Sequence, residues 1–306
     1  MLKFLPLYAD ASIVRTRKPE NLEKCSIVVD VGAVYDSDTL KFDHHQRTFT
    51  DTLPNYNTKL SSAGLIYKHY GKDIIKAIIT SIDPNTNIDE MTLTIFYHKI
   101  YENFIEHIDA IDNGIAVSDG DIKYHISSTL SSRVGTLNPA WNEVQTPQLY
   151  NTRFQEAMSL TAKEFSDNVI SLYKHWWPAR TIIKDALADR FKIHESGKII
   201  ILDTICPWKD HLFELEKTDS CVGDIIYALY EDSGGSWRIQ AVPVTSTSFE
   251  SRKKLPTDWR GIRNEELDAL TNGPPGAIFI HASGFIGGHK TKEGALAMAI
   301  TSLTLA

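Results

Sequence analysis

Cysteine is scarce in this chain: three in 306 residues, at 25, 206 and 221, forming neither an even framework nor a C-x-x-C pair. That excludes a disulfide scaffold and a Cys-rich zinc module, and it suits a reducing, intracellular compartment. Long apolar runs are lacking too. The opening MLKFLPLYADAS is interrupted by Pro6 and Asp10, so it is too short for a signal-peptide core or a membrane span, and no membrane is expected as a partner. Nuclear, cytoplasmic and mitochondrial compartments all stay open, since any organelle-targeting segment would lie upstream of Met1. An excess of positive charge is also missing, since 32 Lys and Arg face 39 Asp and Glu for a net charge of −7. A protein that coats nucleic acid along its whole surface is excluded, whereas a local basic groove is not. No low-complexity tract or internal repeat is present. What remains is 42% hydrophobic and 23% charged residues, the composition of a globular chain long enough for two domains.

The first part alternates short β-branched runs with helical patterns. SIVRTR (12–17) and SIVVDV (26–31) read as strands, the second as a buried parallel strand. LSSAGLIYKHYG (60–71) reads as a helix, with Ser61 or Ser62 as its cap and Gly71 as its stop. Ile95, Ile100, Phe104, Ile108 and Ile111 fall at helical spacing between 89 and 113, and further helices are expected over 149–175 and 180–191. Beyond that the texture changes: KIIILD (198–203), DIIYALYE (224–231), SWRIQAVPV (236–244) and AIFIHAS (277–283) read as strands, with Gly234-Gly235 as a hairpin turn. The expected architecture is α/β: a parallel-sheet domain over 1–190 and a smaller α+β domain over 191–306.

LKFDHHQRTF (40–49) places Asp43, His44 and His45 consecutively. Adjacent histidines alone are weak evidence in a chain with 11 His, and their surroundings matter more. Asp30, in IVVDVG, would be costly in a buried strand unless paired or coordinating, and it stands near the carboxyl end of a parallel strand, where sites form in open α/β sheets. IDAIDNG puts Asp109 and Asp112 three apart, on one helical face. Carboxylates mixed with imidazole suit a hard or borderline ion such as Mn²⁺ or Mg²⁺, and converging carboxylates can hold two ions for phosphoryl chemistry.

Together, IVVDVG, FDHHQRTF, TKLSSAGLIY, IDAIDNGI, CPWKDHL and HASGFIGGHKTKEGAL make the chain resemble the melanocyte proliferating gene (Myg) family of the DHH phosphoesterase superfamily over nearly its whole length. The resemblance implies a DHH domain followed by a DHHA1-like domain, an active site in the cleft between them, and a 3′-to-5′ exonuclease acting on RNA and possibly on single-stranded DNA. It implies Asp30 as the carboxylate bridging two Mn²⁺ or Mg²⁺ ions, His44 as a ligand, Asp43 as the residue orienting that histidine or supporting the site directly, and His45 facing the scissile phosphate. One of Asp109 and Asp112, with Asp112 favoured, would complete a metal's sphere. Members of the family begin with a strand leading into Thr-His-x-Gly-x-Phe-His-x-Asp-Glu. That motif is absent from these 306 residues, and Met1 is expected to start in the helix that follows it, which leaves ligands for about one ion.

HASGFIGGHKTKEG would place Gly287 and Gly288 where the backbone can approach closely at a helix start, whose amides attract phosphate; the resemblance implies that this Gly-Gly-His turn faces the metals, with His289 gripping the substrate. A Walker A loop is excluded, because one residue separates Gly288 from Lys290. RKKLPTDWRGIR (252–263) carries five Lys and Arg against one Asp and could form a phosphate strip with Trp259 as a stacking residue. Arg47, Lys59, Lys290 and Lys292 are further phosphate contacts. Two rival functions share the pattern: a phosphohydrolase of nucleotides or pyrophosphate with the same fold, and a nucleic-acid binding or regulatory protein without catalysis. A homo-oligomer is compatible with either.

Overall fold

Three very short strands anchor the N-terminal part of the chain. In the computed structural model, which describes residues 1–305, β1 (Val28–Val29) runs parallel to β3 (Lys41–Phe42), and β2 (Tyr35–Asp36) runs antiparallel to β3, in the order β1-β3-β2. This sheet is mixed rather than parallel. Around it stand α1 (Pro19–Leu22), α2 (Ser62–Ile82), α3 (Glu90–Ile100), α4 (Glu106–Asp112), α5 (Leu130–Gly135) and α6 (Pro147–Ser171). The core forms where α2 buries Leu65, Ile66, Tyr67, Ile74, Ile75, Ile78 and Ile79, packing against α3, α4 and α6. Phe96, Ile100, Phe104 and Phe165 are buried in the same unit. Each such side chain contributes about 1.5–3 kcal/mol through lost contact with water. The chain divides into two compact units, Met1–Tyr173 and Lys174–Ala306. The helix expected over 180–191 therefore belongs to the second unit rather than the first.

Several local expectations are corrected. Residues 12–17 form no strand; Ile13 and Val14 are exposed, and no neighbouring strand satisfies their backbone. Met1 leads into two 3₁₀ turns, Leu2–Phe4 and Pro6–Tyr8, not a helix. Gly71 does not stop α2, which continues to Ile82. A Cβ at Gly71 would lie 2.8 Å from the Tyr97 ring, so this glycine serves helix packing, not termination. The helix over 89–113 is interrupted by a π turn at Tyr101–Ile105, and that over 149–175 ends in another at Leu172–Trp176.

The second unit is a five-stranded sheet in the order β4-β5-β6-β8-β7: β4 (Ile199–Ile201), β5 (Tyr227–Glu231), β6 (Trp237–Ala241), β7 (Ala277–Ile280) and β8 (Ile286–His289). Only β4 and β5 are parallel; the remaining pairs are antiparallel. Helices α7 (Ala179–Ile193) and α8 (Trp208–Thr218) share a core with β4 and β5. On the other face, α9 (Asn264–Thr271) and α10 (Lys292–Thr304) pack against β5 to β8. Asp232 turns the chain between β5 and β6, accepting from the backbone N–H of Gly234 and Ser236, so the glycine hairpin falls where the sequence indicates.

Gly287, Gly288 and His289 form no turn. They are strand β8, paired with both β6 and β7. A Cβ at Gly287 would meet Ile280 at 2.3 Å, and one at Gly288 would meet Arg238 at the same distance. The glycines are there because neighbouring side chains lie across the strand.

Candidate metal centre

The end of β1 shapes the site. The Asp30 N–H still donates to the Phe42 carbonyl at 3.0 Å, continuing the ladder, but Asp30, Gly32 and Ala33 then adopt left-handed backbone with φ of 67°, 95° and 53°. Asp tolerates that region better than most residues because its short polar side chain can bond locally. The turn leaves the Asp30 side chain 60% exposed, whereas the sequence placed it in a buried strand. It also brings Asp30 Oδ1 to 3.8 Å from His44 Nδ1.

Asp43 and His44 follow β3 and are buried; His45 is exposed. One Asp43 oxygen accepts from the Ala33 N–H at 2.7 Å. The other accepts from the His45 N–H at 3.2 Å and from its ring Nδ1 at 2.6 Å. Burial opposes ionisation of Asp43, but these donors outweigh it and hold its carboxyl below the ordinary range. Asp43 therefore orients His45, not His44. With Nδ1 committed to Asp43, Nε2 is the His45 ring atom left to face a ligand.

His44 is held from another side. Ser61 caps α2, its Oγ accepting from the N–H groups of Ala63 and Gly64. The next residue offers His44 Nδ1 both a backbone N–H at 3.1 Å and a hydroxyl at 3.0 Å, since both belong to Ser62. The Ser62 N–H donates to Nδ1, which puts the neutral ring's proton on Nε2, toward Asp112; ligation through Nε2 would need the other tautomer, with Nδ1–H on the Ser62 hydroxyl. His44 Nε2 lies 3.4 Å from Asp112 Oδ2, close to the separation of two ligand atoms each about 2.1 Å from one ion. Burial, followed by the neighbouring His45, holds the His44 pKa below its usual value, against the pull of Asp112, Asp30 and Asp43. This favours the neutral ring that ligation requires.

Asp109 stands apart from this cluster. It is fully buried; Oδ1 accepts from Ser61 N–H at 2.9 Å and Ser61 Oγ at 2.6 Å, and Oδ2 accepts from the Tyr101 hydroxyl at 3.1 Å. It pins the start of α2 to α4, while exposed Asp112 reaches His44. Of the pair three apart, Asp112 is the one beside the imidazoles.

Ligand atoms of Asp30, Asp43, His44 and His45 lie within 4.8 Å of one another. Since Asp43 is spent on N–H donors, the members of this group open to an ion are a carboxylate oxygen of Asp30 and imidazole nitrogens of His44 and His45, and Asp112 adjoins it only through His44 Nε2. Such a mixed O and N set fits Mn²⁺ or Mg²⁺ better than a closed zinc site. Asp30 and Asp112 also border an open groove of about 1650 Å³ that is lined by Arg15, Arg17 and Lys24 as well.

The model of the MYG1 exonuclease family, described as an uncharacterised protein family, matches residues 1–303. The chain belongs to the MYG1 family. It is 48% identical to a MYG1 protein of Caenorhabditis elegans over all of this chain and 90% of that relative. It is 47% identical to a MYG1 protein of Dictyostelium discoideum over 99% of this chain and 91% of the relative. To the MYG1 exonuclease of Homo sapiens it is 46% identical over 99% of this chain and 81% of the relative. No solved structure matches the chain.

The other residues singled out in this MYG1-family sequence lie elsewhere. Arg47 is exposed two residues beyond His45, and Lys59 sits over the Phe49 ring at 5.5 Å. In the second unit His289 is fully buried; its Nε2 lies 3.1 Å from the Pro274 carbonyl and its Nδ1 is bonded to Thr291. The ring is engaged by backbone, not directed to solvent. Lys290 is exposed, and Lys292 lies over the Trp237 ring. The basic strip at 252–263 is largely spent on structure: Arg252 forms a bidentate pair with Glu216, Lys253 and Arg260 bond to backbone carbonyls, and Trp259 is buried. Sequence reasoning did not find the roles of Ser61 and Ser62 behind Asp109 and His44. The Ser-Ser pair preceding a helix was the available signal, read only as a cap.

Proposed function

We propose that the chain is a metal-dependent phosphodiesterase that removes nucleotides from RNA in the 3′-to-5′ direction, with single-stranded DNA as a second substrate. The observation that carries the proposal is the convergence of ligand atoms of Asp30, Asp43, His44 and His45 within 4.8 Å, with Asp112 Oδ2 3.4 Å from His44 Nε2. Membership of a family whose relatives in mammals are named exonucleases supports it. A divalent ion held among Asp30, His44 and their neighbours, with Asp112 beside His44, would supply Lewis acidity toward a phosphoryl oxygen and make water a usable nucleophile.

The protein's own groups do the rest. Asp43 fixes the His45 ring so that Nε2, protonated, can donate to a phosphate oxygen as charge accumulates there; the buried carboxylate stabilises that imidazolium. Ser62 fixes the His44 ring plane. The ligands present suffice for about one ion, so a metal stoichiometry near one per chain is expected.

The test uses RNA labelled at its 5′ end, so that 3′ trimming leaves a ladder of shortening labelled products. Trimming in Mn²⁺ or Mg²⁺ that stops in chelator and is lost in Asp112→Asn supports the proposal. Equal trimming after exhaustive chelation overturns the metal mechanism, and release of the labelled nucleotide first overturns the direction. A parallel DNA substrate reads the sugar preference.

A further inference from the structure

Among the described residues, no helix of the second unit packs extensively on one half-face of its sheet. The helices on β6, β7 and β8 are α9 and α10, and they meet the side on which His289 presses against Gly294 of α10 and Ile280 lies over Gly287. Side chains alternate along strands, so Arg238 of β6, Gly288 of β8 and Phe279 of β7 point to the opposite side. These three are in register across the sheet: Arg238 pairs with Gly288, which pairs with Phe279. Because Gly288 has no side chain, the Arg238 guanidinium and the Phe279 ring can lie over its backbone. The guanidinium carbon of Arg238 is 5.3 Å from the ring centroid. Asp232 ion-pairs with Arg238, whose Nη1 has no acceptor, and 23% of the Arg238 side chain stays open to solvent. Arg263, bridged to Phe279 through the backbone, brings a second guanidinium to 5.8 Å from the same ring. Arg263 is exposed and takes part in no ion pair among the described residues.

We propose that Arg238, Phe279 and Arg263 form a platform for one nucleotide of a single-stranded nucleic acid, the planar surface taking a base and Arg263 a phosphate. The proposal rests on the exonuclease reading only for the choice of nucleic acid as ligand. Two features of the platform favour that ligand. Guanidinium planes and aromatic rings both accept stacked bases irrespective of sequence, and an uncommitted cation beside them matches the anion that every nucleotide carries. Asp232 anchors Arg238 in its plane and leaves Arg263 as the free charge, which separates the stacking function from the phosphate function.

The full chain in chelator, where trimming is not expected, is titrated with a fluorescent adenylate RNA oligonucleotide over a range of salt. Arg263→Ala should weaken binding severalfold and reduce the slope of log affinity against log salt by about 0.7, the contribution of one phosphate contact on a single strand. Phe279→Leu should weaken binding of the adenylate oligomer by about fivefold or more while barely changing binding of an abasic sugar-phosphate oligomer. Adenosine monophosphate as competitor distinguishes a mononucleotide pocket, where it competes as well as the oligomer does, from a polymer track, where it does not. Thermal melting checks that Phe279→Leu is folded; Arg263 is exposed, so its variant decides the question if the other unfolds. Wild-type affinity and salt slope in Arg263→Ala, or no oligomer binding by the wild type, overturns the platform. The two readings fail separately: Arg263-dependent binding without trimming in Mn²⁺ leaves the platform and removes the catalytic proposal, and trimming with an unchanged KM in both variants does the reverse.

Discussion

His44 and His45 are neighbours in the chain yet are held by opposite means, one by the start of a helix and the other by a buried carboxylate. Asp43→Asn keeps an acceptor near His45 Nδ1 but removes the charge that stabilises its imidazolium, and losses for such outer partners run about 10- to 100-fold. Trimming should therefore fall by at least tenfold, while Mn²⁺ affinity measured by calorimetry falls much less than in Asp112→Asn. If Asp43→Asn loses as much metal as Asp112→Asn, then Asp43 is itself a ligand. The grouping of Asp43, His44 and His45 was legible in the sequence because they are consecutive. Asp30 was legible as a participant but not in its setting: a valine run followed by Asp reads as continuing strand, and the left-handed turn at φ 67° depends on how β1 leaves the sheet.

At the scale of the element, the start of α2 is pinned by Asp109, and Gly64 makes the pin possible. A Cβ at Gly64 would meet the Asp109 carboxylate at 2.3 Å, so Gly64→Ala should cost about 1–3 kcal/mol by overpacking, visible as a melting temperature lower by several degrees. Burial pushes Asp109 up from 3.8 to about 6, even against the hydrogen bonds from Ser61 and Tyr101. A raised folded value means that the native state binds the proton more tightly than the unfolded chain does. The resulting stabilisation is complete below about pH 4 and is lost as pH rises through about 6. In Asp109→Asn that component of the pH dependence should vanish, and a wild-type profile in the variant would contradict the assignment. Elements with local signals were read well: the Ser61 cap, the glycine hairpin between β5 and β6, and the helix start that became α10. Gly71 and the Gly287-Gly288 pair were misread because glycine marks both turns and close approaches. Which of the two applies is decided by Tyr97, Ile280 and Arg238, residues distant from these glycines in sequence or carried by a neighbouring strand.

For the molecule as a whole, the division at Tyr173 assigns the metal-candidate residues to one unit and the proposed platform to the other. An ion bound only by the native first unit stabilises that unit alone, by about 2.7 kcal/mol at a concentration 100-fold above its Kd. Scanning calorimetry should thus show two transitions, of which Mn²⁺ raises one and leaves the other in place; a common shift of both would mean that the units unfold as one. The family and the α/β class were legible because the motifs span the chain, whereas the unit boundary was not, since the helical pattern near it is continuous in composition. The same division orders events during synthesis. Asp112 is the last of the metal-candidate residues, and the unit that contains it is finished at Tyr173, so the ribosome takes roughly 1–5 seconds more to reach Ile199, where the first strand of the second unit begins. The imidazoles and carboxylates can therefore meet their ion on a nascent chain, before the first strand of the second unit has emerged.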